Sequence, residues 1–98
     1  MFKPLDPLLK SELRLAVMSI LIAVDKAEFK YLKEKTAATS GNLSVQLQKL
    51  KDAEYISIEK TFKGNYPLTT CKITQKGIEA FEKHVSAIQS YLDFRKKE

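Results

Sequence analysis

The sequence predicts a mainly α-helical domain with one small β-hairpin, and three observations predict it. Apolar residues recur at spacings of three and four in several stretches, the mark of helices with one buried face. Between Tyr55 and Ile73 the pattern changes to β-branched and aromatic residues around a Gly64-Asn65 turn, which reads as two strands. Between the second and third helical stretches lies Thr36-Ala37-Ala38-Thr39-Ser40-Gly41, a short turn of small residues that joins them as a helix-turn-helix.

Residues 5–24 are expected to form the first helix, with Asp6 as its cap and Pro7 at its first position. Leu8, Leu9, Leu13, Ala16, Val17, Ile20, Leu21 and Val24 cover more than one stripe, so a second buried face, against another chain, is expected, the alternative being that this is simply the central core helix. Residues 26–53 form the helix-turn-helix. Asp25 is read as the cap of its first helix, Ala27 to Lys35, which turns Phe29 and Leu32 inward. Thr39 or Ser40 caps the second, where a hydroxyl on a free amide contributes about 1 kcal/mol.

In that second helix Leu43, Leu47 and Leu50 share the buried face. At about 100° per residue, Asn42, Val45, Gln48 and Lys49 then point outward, with Ser44 on one flank. Small, carboxamide and basic side chains on an outward helical face suit the major groove of DNA.

Residues 55–74 are the hairpin, with Ile56 and Ile58 alternating in one strand and Cys71 and Ile73 on one face of the other. Lys60, Lys63, Asn65 and Tyr66 stand clear of the core, where they can meet a phosphate backbone or a minor groove. Residues 75–94 form the last helix, capped by Thr74. Gly77 in its first turn costs up to ~1 kcal/mol relative to Ala, which implies that another backbone approaches closely there. Ile78, Phe81, Val85, Ile88 and Leu92 follow at heptad-like spacing. With Leu9, Leu13 and Val17 of the first helix, Phe81, Val85, Ile88 and Leu92 are the expected dimer interface.

Charge sharpens the functional reading. The formal net charge is +5, and between Lys26 and Lys76 ten lysines face five acids, so the whole excess surrounds the helix-turn-helix and hairpin. Phosphate is the natural partner of such a patch. Residues 1–98 are read as one domain, which at this size buries roughly 60–70% of its unfolded surface. The longest apolar run, Ala16 to Val24, is interrupted by Ser19 and is too short for a membrane span of about 20 residues. Lys3, Pro4, Asp6 and Pro7 do not make a signal peptide. One cysteine allows no intrachain disulfide. A cytoplasmic location, with no membrane partner, is the expectation.

Helix, helix-turn-helix, hairpin and helix is the order of a winged helix. The run from Gly41-Asn42-Leu43-Ser44 through Leu47, Leu50, Tyr55-Ile56, Lys60, Phe62, Gly64, Pro67 and Thr69 to Thr74, Gly77, Ala80, Phe81 and His84 resembles winged-helix transcriptional regulators of the MarR/ArsR type. It is most similar to their short stand-alone members, and the resemblance extends from about Leu5 to Leu92. It implies a cytoplasmic, homodimeric, sequence-specific regulator bound to double-stranded DNA at a near-palindromic operator. Thr39, Ser40, Asn42, Ser44, Val45, Gln48 and Lys49 would serve the recognition helix, and Lys60, Lys63, Asn65 and Tyr66 the wing. Two departures stand out: Asn65-Tyr66 occupies the wing tip where members often carry Arg, and the recognition face has no Arg. Carboxamide reading would then favour adenine.

No catalytic triad, carboxylate pair or phosphate-binding glycine loop is present, so no enzyme is expected. One cysteine and one histidine do not make a metal site, and no cofactor is expected. Cys71 reads as a small buried hydrophobe, and His84 as a structural or interface residue. The competing reading is a winged helix that binds another protein and uses its lysines only for solubility.

Overall fold

The computed structural model describes residues Met1–Lys97. Two capping residues compete near the start, and each takes its own turn. Asp6 accepts from the Leu8 amide at 2.9 Å and caps only a single 3-10 turn, Pro7–Leu9. Ser11 accepts from the Arg14 amide at 3.3 Å and starts α1, Glu12–Val24. The helix expected over 5–24 is therefore broken at Lys10 and Ser11.

Asp25 ends α1 instead of capping the next helix: its φ is 71°, and its amide bonds to the Leu21 carbonyl at 2.8 Å. This left-handed residue turns the chain into a three-residue strand, β1 (Lys26–Glu28), which sequence periodicity did not reveal. The helix expected from Ala27 thus begins later, as α2 (Phe29–Thr36). Beyond a left-handed Ala37 lies α3, Ser40–Asp52, with Thr39 as its cap. α3 ends in a Schellman arrangement. The Glu54 amide bonds to the Lys51 carbonyl at 2.9 Å and the Tyr55 amide to the Leu50 carbonyl at 3.0 Å, with Glu54 at φ 64°.

β2 (Ile56–Lys63) and β3 (Tyr66–Ile73) pair antiparallel, with Ile56 opposite Ile73 and Lys63 opposite Tyr66. The loop between them is Gly64-Asn65, with Gly64 at φ 66°, the conformation that a two-residue hairpin with Gly first demands. β1 adds to the other edge of β3, so the expected hairpin is two strands of a three-stranded sheet in the order β1-β3-β2. α4, Gln75–Lys97, completes the chain.

The core lies where α1, α2 and α3 close over the inner end of the sheet. Leu9, Val17, Met18, Leu21, Leu32, Leu43, Leu50 and Cys71 are fully buried there, with Leu47, Ile56 and Ile73 nearly so. Burying a leucine fully contributes about 1.5–3 kcal/mol, so Leu43, Leu47 and Leu50 together fix which side of α3 faces out. α4 is anchored at its start. Thr74 donates its hydroxyl to the Glu54 carbonyl at 2.6 Å and accepts from the Gly77 amide at 3.0 Å. A Cβ on Gly77 would overlap the Tyr55 carbonyl, so the backbone approach expected there is present.

Candidate nucleic-acid interface

The exposed side of α3 follows from its buried leucines. Asn42, Ser44, Val45, Gln48 and Lys49 are all exposed, and Val45, at 53% exposure, is an apolar side chain with no neighbour from its own chain to cover it. Thr39 serves α3 as its cap, accepting from the Asn42 amide at 3.2 Å. Ser40 occupies the first helical position, beside Gly41, whose missing side chain leaves open space.

The wing stands beside this ridge. Strand side chains alternate, so Lys60 and Phe62 continue the face of Ile56 and Ile58, whereas Lys63 and its partner Tyr66 take the opposite face. Lys60 and Thr69 lie across from each other and line a cleft of about 390 Å³ whose other wall is Ser40, Ser44, Gln48 and Lys51. The structure thus brings Lys60 to α3 and leaves Lys63, Asn65 and Tyr66 at the exposed tip. Sequence reasoning missed Lys51, which the helical angle places toward the cleft, and Phe62, which is 75% exposed despite its apolar ring.

Side-chain orientation on α3 is fixed by hydrogen bonds. Gln48 donates through Nε2 to Asp52 at 2.8 Å. Gln46, half-buried against α1, accepts from Arg14 and donates through Nε2 to Asn42 Oδ1 at 3.1 Å. Arg14 also donates through Nε to the Leu8 carbonyl at 2.7 Å.

The residues expected at a dimer interface divide into two groups. Leu9 and Val17 are fully enclosed in the chain's own core and have no surface left for a partner. Leu13 and Phe81 are half-buried, packed on the edge of that core. Val85, Ile88 and Leu92 are exposed in a row on the distal part of α4. The opposite side of α4 is covered by the N-terminal segment: Lys3 Nζ donates to Ser86 at 2.9 Å, and Phe2 packs on Tyr91 and Phe94 with ring centroids 4.8 and 5.1 Å away.

His84 is buried, and its Nδ1 accepts from the Asp6 amide at 3.0 Å, which gives it a structural role. Asp6 also accepts from the Tyr55 hydroxyl at 2.5 Å. Burial, then this bond and the Asp6 charge, push the Tyr55 phenol up to about 12. Burial alone pushes the Cys71 thiol up to about 11, which keeps it protonated. Among the described residues no group of three or more His, Cys, Asp or Glu could hold a metal ion, and no helix is long and apolar enough to cross a membrane.

A ridge of polar side chains on the second helix of a helix-turn-helix, flanked by a hairpin, is the geometry of a known family. The family model described as a winged helix DNA-binding domain matches residues 13–92. The chain belongs to this family. An uncharacterised protein of Methanocaldococcus jannaschii is similar to this winged helix, 35% identical over 78 residues that cover 80% of this chain and 85% of the relative. Among solved structures, a transcriptional regulator homologue from Pyrococcus horikoshii matches with a TM-score of 0.82 and 26% identity, covering 88% of this chain and 85% of that one. A zinc-responsive MarR family member from Lactococcus lactis shares the fold at a TM-score of 0.65 and 16% identity, covering 89% of this chain and 59% of its own. This chain is therefore a winged helix of the DNA-binding kind.

Proposed function

We propose that the protein binds double-stranded DNA sequence-specifically as a homodimer, with α3 in the major groove and the wing on the backbone or minor groove. The observation that carries this reading is the exposed ridge of Asn42, Val45, Gln48 and Lys49, separated by one cleft from Lys60 of the wing. Carboxamides read base edges, Val45 suits a thymine methyl group, and lysines neutralise phosphates. Thr39, Ser40 and Ser44 lie where the α3 N-terminus meets a phosphate. Lys63, Asn65 and Tyr66 at the tip contact the backbone beyond it.

The dimer is supported by α4. This 23-residue helix reaches well beyond the core in a molecule measuring 59 × 25 × 20 Å, and it carries Val85, Ile88 and Leu92 uncovered. A second copy packed on that row, with Phe81 and Leu13 at its inner edge, would set two recognition helices about one helical turn apart on a near-palindromic operator.

Electrophoretic mobility shift across a salt series tests the reading. The expected log–log slope is about −0.9 per phosphate neutralised. Negligible binding to every duplex at low salt would leave the fold as a protein-interaction module.

A further inference from the structure

We propose that Arg14, acting through Gln46, orients Asn42 so that it presents its NH2 group to the DNA bases and reads guanine instead of adenine. This rests on the DNA-reading role of α3 proposed above. A guanidinium group has donors and no acceptor. Arg14 is held by its Nε bond to the Leu8 carbonyl at 2.7 Å, and its Nη1 donates to Gln46. Gln46 must therefore turn its oxygen toward Arg14 and its NH2 group away. That NH2 donates to Asn42 Oδ1 at 3.1 Å, which turns the Asn42 oxygen toward the next turn of the helix. The Asn42 Nδ2 group is then the end of the amide turned away from Gln46, and Asn42 is exposed.

This polarity changes the base that fits. Bidentate recognition of adenine requires the amide oxygen to accept from adenine N6 while the NH2 donates to N7. The Asn42 oxygen is aimed at Gln46, which takes one of its two lone pairs and turns it from the geometry that adenine requires. Guanine offers two acceptors, N7 and O6, in the major groove, and both suit an NH2 group. Gln48 has the reverse arrangement. One N–H of its Nε2 is held by the Asp52 carboxylate at 2.8 Å, a group that can only accept, so its oxygen is turned outward to take an amino proton from adenine or cytosine. Two carboxamides on one face thus read opposite polarities. Arg14 and Gln46 are half-buried between α1 and α3, which makes theirs the firmer of the two locks. Arg14 is a positioning residue, since its effect on DNA passes through Gln46.

Four proteins test this: wild type, Gln46→Glu, Arg14→Met and Arg14→Lys. Glu at 46 still accepts from Arg14 but has no N–H for Asn42. Lys at 14 still only donates and should preserve the lock, whereas Met releases it. Each protein selects duplexes from a random pool, and the bound fragments are sequenced. Wild type and Arg14→Lys are expected to share a guanine at one position per half-site. In Gln46→Glu and Arg14→Met that preference should fall about tenfold, the scale of one bidentate contact, while the other positions keep theirs. In the free protein, NMR should show the Gln46 side-chain amide exchanging more slowly than that of Asn42, a difference that Arg14→Met abolishes.

An unchanged motif in Gln46→Glu, an adenine at that position in wild type, or equal loss at every position would overturn the inference alone. A wild-type protein that selects no sequence would overturn the proposed function and the guanine preference with it. Equal exchange of the two amides would refute the lock itself.

Discussion

Gly77 of α4 lies directly against the backbone carbonyl of Tyr55 at the entrance to β2, and no side chain fits between them. The same carbonyl accepts from the Thr74 amide at 3.0 Å, so it cannot swing aside without losing a bond. Gly77→Ala must displace backbone, and destabilisation of about 2 kcal/mol is expected, typical of forced overpacking. For a domain of this size that lowers the thermal midpoint by roughly 10 °C, which circular dichroism would read directly. A variant with an unchanged midpoint would show that α4 can lift off Tyr55 at no cost.

Glu54 presents the opposite case. It occupies the left-handed position of the α3 Schellman cap, where a Cβ is unfavourable and Gly is the usual residue. Glu54→Gly is expected to stabilise the fold by about 1 kcal/mol, measured by urea denaturation. The slope with denaturant should stay constant, because the unfolded surface is the same.

Tyr55 makes stability pH-dependent in the alkaline range. Its phenol is raised to about 12 in the fold, against about 10 in an unfolded chain. Above the unfolded value the unfolded chain releases its proton first, so the contribution is complete below pH ~10 and is lost as pH rises through about 12. Tyr55→Phe should remove this part of the alkaline decline while costing stability at neutral pH, because Asp6 loses a donor. Chemical denaturation of both proteins between neutral pH and about pH 11 would show whether the two curves converge, as expected.

Lys60 and Gln48 should separate affinity from specificity. Lys60→Ala is expected to weaken matched and scrambled duplexes alike and to reduce the salt slope by about one phosphate's worth, ~0.9. Gln48→Ala should relax preference at one position and leave the slope unaltered. Identical behaviour of the two variants in fluorescence anisotropy would contradict this division between wing and recognition helix.

Leu92→Glu tests the dimer without touching the core, since Leu92 is exposed at 51%. A monomeric mass by sedimentation is expected, with the helical content preserved and affinity for a two-half-site duplex reduced at least tenfold. Leu9→Glu, by contrast, should unfold the chain, because Leu9 is fully buried.

Local pattern made much of this legible. The spacing of Leu43, Leu47 and Leu50 orients α3 without any coordinates, and the cost of Gly77 inside a helix points to a backbone neighbour. The features it missed depend on distant partners. Lys26–Glu28 becomes a strand only because Thr70–Lys72 lies alongside it, and three residues are too few to show a period. Leu9 and Val17 look like an outer face on a single long helix, but the break at Lys10 and Ser11 folds both inward. Arg14 and Gln46 are separated by 32 positions, so nothing in either local pattern connects them. By chemical type Asn42 reads as an adenine contact, whereas the hydrogen bonds that orient its amide come from that remote pair.

The most direct test of the central claim is selection of bound fragments by the wild-type protein from a pool of random duplexes. One enriched near-palindromic motif is expected, with half-site centres about one helical turn apart. Recovery of sequences with no shared motif would contradict it.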